Sequence, residues 1–170
     1  HYEMQAAVKA AAAYNGPVYL RLGRLPVESF NNGDDYKFEM GKGITLMDGS
    51  DITVVATGLM VSRALQAVQS LKEQGISARL INIHTLKPLD EEIILRAARE
   101  TGKIVTVEEH NVIGGLGEAV SSLLCANHPV PVRKIGVNDT FGHSGPAVKL
   151  LDEFGLNAEN IEKTVKDMLK

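Results

Sequence analysis

The feature that most constrains this chain is an alternation that starts at residue 44. Short, largely apolar runs at Ile52–Ala56, Ala78–Ile83, Ile104–Glu108 and Val132–Val137 are separated by longer stretches of helical period. Ile-Thr-Val-Val-Ala, the first of them, does not alternate apolar with polar, as expected for strands covered on both faces. Between the runs, Val61, Ala64, Leu65, Val68 and Leu71 form one helical stripe that ends at Gly75. Ile93, Ile94, Ala97 and Ala98 form a second, with Asp90 placed to cap it. Leu116, Ala119, Val120, Leu123 and Leu124 form a third, and two closing helices are predicted near 146–153 and 158–169. The pattern predicts an α/β fold: a mostly parallel five-stranded sheet with helices on both faces and right-handed crossovers. One strand is expected to be antiparallel, because Ile44–Met47 is followed by Asp48-Gly49, a tight turn of the hairpin kind.

The N-terminal stretch breaks this pattern. Met4, Ala7, Val8, Ala11 and Ala12 recur at helical spacing, and Asn15-Gly16-Pro17 ends the helix. Val18–Leu22 reads as a short strand, and residues 25–41 as a linker rich in turn formers. A boundary near residue 36 follows, with 1–35 as the tail of a neighbouring domain plus linker and 36–170 as a domain of its own.

Composition narrows the function. Lys and Arg number 18 against 21 Asp and Glu, and no basic run occurs, which argues against nucleic acid as a partner. No apolar stretch approaches the roughly 20 residues that span a bilayer, so no membrane partner is expected. The single cysteine, Cys125, rules out an intrachain disulfide and fits a cytoplasmic setting. Beside Leu124, Cys125 reads as a small core residue.

Ligands of open parallel sheets bind beyond the carboxyl ends of the strands. Those ends carry Gly58, His84, Glu108-Glu109-His110 and Asn138-Asp139, with His143 just beyond. The histidines and carboxylates have no compact metal spacing, so no metal site is assigned. Gly114-Gly115-Leu116-Gly117 opens a helix and could hold an anion on free amides. Val120 stands where the last glycine of a dinucleotide fingerprint belongs, so close packing or a subunit contact is the favoured reading of Gly114, Gly115 and Gly117. Gly142-His143-Ser144-Gly145-Pro146 misses a nucleophile elbow by its last residue, and Ser144 is expected to cap the following helix. Arg24, after Gly23, suits a phosphate or carboxylate, although an ordinary surface ion pair competes with that reading.

Taken together, these segments resemble the transketolase family. Gly16-Pro17-Val18-Tyr19-Leu20-Arg21-Leu22-Gly23-Arg24 is similar to the end of the family's pyrimidine-binding domain. Gly41-Lys42-Gly43, Asp51 through Gly58, Leu86-Lys87-Pro88-Leu89-Asp90, Val105 through His110, Gly114-Gly115-Leu116-Gly117 and Thr140 through Gly145 resemble successive parts of its C-terminal domain. The chain looks most like the C-terminal subunit of a split bacterial or archaeal transketolase.

The resemblance implies two-carbon ketol transfer between sugar phosphates, with thiamine diphosphate and Mg2+ in the intact enzyme and none bound by this chain. It implies partners in the remaining transketolase domains or subunit, a homo-oligomer through the C-terminal domain, and Arg24 as the grip on the sugar phosphate. No catalytic residue is expected within the chain, which should be inactive alone. The alternatives are the same domain of a deoxyxylulose-phosphate synthase or of a 2-oxo acid dehydrogenase beta subunit, or a non-enzymatic regulatory or anion-binding module.

Overall fold

The computed structural model describes residues 2–23, 26–29 and 36–170. Five strands form one sheet: β1 (Ile44–Met47), β2 (Ile52–Ala56), β3 (Ala78–Asn82), β4 (Ile104–Asn111) and β5 (Val132–Val137). Their order is β1-β3-β2-β4-β5. β2 pairs parallel with both β3 and β4, and β4 parallel with β5. The helices are α1 (Tyr2–Ala13), α2 (Met60–Glu73), α3 (Glu91–Thr101), α4 (Leu116–Asn127), α5 (Ala147–Glu153) and α6 (Ala158–Leu169).

The doubly covered sheet explains the apolar runs. Every residue of β2 is buried. On one face Val54, Leu80, Val105 and Ile135 pack with Ala64 and Leu71 of α2, Leu151 of α5 and Ile161 of α6. On the other, Val55, Ile81 and Ile104 pack with Ile94 and Ala97 of α3 and with Leu116 and Val120 of α4. Asp90 caps α3 by accepting from the Ile93 amide at 3.3 Å, and its other oxygen accepts from the Gly43 amide at 2.9 Å. The cap thus also fastens the chain entering β1.

Four expectations are corrected. β1 is antiparallel, but it pairs with β3 across the bulge between Thr45 and Met47, not with β2 through a hairpin. Both sides of β2 are taken by β3 and β4, so β1 is displaced to the outer side of β3. Val18–Leu22 belongs to no strand, and its residues are exposed: no sheet edge among the described residues pairs with it. Cys125 is exposed, because one residue beyond buried Leu124 is a turn of about 100° around the helix. Pro146 occupies the N-cap position of α5 and no side chain caps that helix, which leaves Ser144 too far upstream.

α1 forms as its period predicts but buries none of its residues. Glu3, Ala6, Ala7 and Ala10 lie half-buried, whereas Met4 and Val8 face outward.

Candidate functional site

The carboxyl ends of β3 and β4 gather the polar side chains that the fold places with most care. Glu108 lies on β4 on the same face as Ile104 and Thr106, and only 1% of it is exposed. Its carboxylate accepts from the amides of Leu116 and Gly117, each at 2.7 Å. Two charge-assisted bonds at the start of α4 satisfy amides that a helix leaves open, and they place a negative charge at the positive end of the helix dipole.

The glycines follow from that carboxylate. A Cβ at Gly115 would overlap the Glu108 oxygens, and one at Gly117 would come within 2.8 Å of the Thr106 hydroxyl. Gly114 takes a positive φ of 77°, and its amide donates to the Glu118 carboxylate. The amides of 114, 116 and 117 are therefore occupied from within the chain. Three of the amides at this helix start are thus engaged by Glu108 and Glu118, and a Cβ at 115 or 117 would collide with Glu108 or with Thr106 and Lys134. Sequence reasoning placed Glu108 at a strand end but did not connect it with the glycines that follow.

The end of β3 holds a second cluster. Glu3, from α1, accepts from the amide nitrogen of Asn82 at 2.6 Å and from the hydroxyl of Tyr36 at 2.8 Å. Burial first, and then the bond to Glu3, hold the Tyr36 phenol well above its ordinary pKa, so it stays a donor. His84 stacks against Phe38 with ring centroids 4.4 Å apart, and its Nδ1 pairs with the Thr85 hydroxyl at 2.8 Å. Burial lowers the His84 pKa, with the Glu3 charge pulling the other way. Asn82 Oδ1 and His84 Nε2 are buried, and neither has a hydrogen-bond partner among the described residues. None of this cluster but His84 stood out in the sequence, because Glu3 and Asn82 meet across 79 residues.

At the end of β4, both terminal nitrogens of Arg21 donate to the Glu109 carbonyl, each at 3.2 Å. Nearby, Asn111 donates to Asp139 at 3.1 Å, joining the end of β4 to the loop that follows β5. His143 pairs with Glu153 at 2.9 Å, which raises its pKa. His84, His110 and His143 do not converge: among the described residues no group of three or more histidines, cysteines or carboxylates could hold a metal. No described helix is long and apolar enough to cross a membrane. Arg24 lies outside the described residues.

Residues 41–161 match the family model described as transketolase, C-terminal domain. The chain is 44% identical over 166 residues to the 6-deoxy-6-sulfo-D-fructose transketolase subunit of Clostridium sp. (strain MSTE9), covering 98% of this chain and 51% of that protein. It is 42% identical over 172 residues to a putative transketolase C-terminal section of Methanocaldococcus jannaschii, covering 100% of this chain and 54% of the relative. Among solved structures, a split gene transketolase, described as an inactive beta4 tetramer, superposes with a TM-score of 0.94 at 46% identity. That match covers 99% of this chain and 55% of the other. The chain thus spans about half the length of the relatives it matches.

Proposed function

The chain belongs to the transketolase C-terminal domain family, and from that premise we propose that it is the C-terminal portion of a split, thiamine-diphosphate-dependent transketolase acting on sugar phosphates. In this reading residues 1–35 are the end of the pyrimidine-binding domain plus a linker, and the domain proper starts near 36. The observation that carries it is the likeness to the split gene transketolase over 99% of the chain, which takes in α1 and the extended segment as well as the sheet.

In this reading the chain itself does not hold the cofactor. The glycine-rich helix start, where a diphosphate would look for free amides, is filled by Glu108. Thiamine diphosphate and Mg2+ are therefore assigned to the remaining domains or subunit. This chain's part is to assemble with them, and with further copies of itself, and to supply Arg24 to the sugar phosphate. Calorimetry of the purified chain with thiamine diphosphate and magnesium should give no binding; micromolar affinity would refute the assignment. In the intact enzyme, loss of the Arg24 guanidinium should weaken phosphorylated substrates by about 2–3 kcal/mol, the scale of a charged hydrogen bond.

A further inference from the structure

β5 ends the strand order, so one of its sides has no strand partner among the described residues. The ladder fixes which backbone groups that side carries. The Ile104 amide donates to the Pro131 carbonyl at 3.0 Å, and Ile104 and Thr106 register with Val132 and Lys134. In a parallel ladder this turns the N–H and C=O of Arg133 and Ile135 toward β4 and those of Val132 and Lys134 outward. The other outer strand is blunted: β1 has four residues and carries the bulge between Thr45 and Met47. β5 has six, and its pairing is regular from Val132 to Ile135.

Along this side runs a groove of about 600 Å³, lined by Pro131 through Gly136 and by the flank of α6 that carries Asn160, Lys163, Thr164 and Asp167. A run of strand residues facing one helical stripe makes a trough, the shape of an extended chain. Four cations line it, Lys103, Arg133, Lys134 and Lys163, and none has an ion-pair partner among the described residues. The one carboxylate in the lining, Asp167, is already held by Lys170 at 2.8 Å. This local excess of positive charge stands on a chain whose net charge is −3. The structure assigns β5 as a docking edge: an extended acidic segment of a separate polypeptide adds to it as a further strand, bonded to the outward backbone groups of Val132 and Lys134, with its carboxylates against the unpaired cations. Backbone bonds give such a contact its affinity, and the side chains choose the partner. A second copy of this chain does not fit, because pairing β5 with itself would set Arg133 and Lys134 against like charges.

The test uses the whole chain with three probes: a labelled peptide of alternating glutamate and valine, its lysine–valine counterpart, and inorganic polyphosphate as charge without a peptide backbone. Fluorescence anisotropy at low salt should show saturable binding of the glutamate peptide and none of the lysine peptide. Added salt should weaken it, since the charges are exposed. Arg133→Gln and Lys163→Gln together, both at exposed positions, should weaken it about tenfold without moving the melting temperature. The decisive readout is amide exchange by NMR. The glutamate peptide should slow exchange at Val132 and Lys134 and leave Arg133 and Ile135, already bonded to β4, unchanged, whereas polyphosphate should slow neither pair. Peptide binding without protection of Val132 and Lys134, or the same protection from polyphosphate, would overturn strand addition in favour of attraction by charge alone. Equal binding of the lysine peptide, or an affinity that ignores the double substitution, would overturn the acidic partner. No binding of the glutamate peptide would overturn the proposal outright and leave the cations as guards of an edge against aggregation.

Discussion

Residues 41–170 and residues 2–23 are held in place by different physics. The first region buries two apolar layers against a sheet whose central strand has no exposed residue. The second buries no residue of its helix, exposes Met4, Val8, Tyr14, Tyr19 and Leu22, and is tied down by a few polar bonds. Burial gives a region stability of its own, whereas isolated polar bonds on a half-exposed surface give direction with little net free energy. The comparison suggests that the domain folds for itself while the segment is oriented by it.

The largest expected contrast comes from truncating apolar side chains. Leu80→Ala, at a site with no exposure, should cost about 2–5 kcal/mol in urea denaturation. Val8→Ala should stay within about 0.5 kcal/mol, as a surface change does. A loss above about 1 kcal/mol at Val8 would break the comparison.

The next contrast is between two glutamates that each accept two hydrogen bonds. Glu108→Gln puts an amide donor against the buried amides that open α4 and should cost about 2–3 kcal/mol. Glu3→Gln keeps one acceptor in a partly exposed site and should cost under about 1 kcal/mol by the same denaturation measurement.

The smallest effect is on pH dependence, and it sharpens the contact between the two regions. The folded pKa of His84 is depressed by burial, so the unfolded chain takes up its proton first. Stability should fall as the pH drops from about 6.5 toward the folded value, and be regained above it. The pair His143–Glu153 has the opposite sign, since a raised histidine pKa gives stability below about 6.5 that is lost as the pH rises through the folded value. His84→Asn should remove the acid-side loss in pH-dependent melting, and His143→Asn should leave it in place.

Much of the fold was legible in the sequence because buried strands and amphipathic helices write their period directly into it, as Ile52–Ala56 and the stripe Ile93, Ile94, Ala97 and Ala98 do. Strand order was not legible, since nothing in Ile44–Met47 or Asp48-Gly49 says that β2 is flanked on both sides by later strands. Val18–Leu22 has the composition of a strand, but a strand exists only where an edge is offered. The candidate site was less legible still. Asn82 meets Glu3, and Arg21 meets Glu109, across 79 and 88 residues, and pattern within a window carries no trace of such pairs. Glu108 and Gly115–Gly117 are near in sequence and could have been linked: an acid on the inward face of an apolar strand, just before a glycine-rich helix start, signals a carboxylate looking for amides.

The most direct test is native-state hydrogen exchange on the whole chain, comparing the amides of α1 with those of β2 and β4. The account predicts that α1 opens with a free energy of no more than about 2 kcal/mol, while the β2 and β4 amides exchange only through global unfolding. Equal protection of α1 and β2 would contradict it, because the segment would then share the cooperative core of the domain.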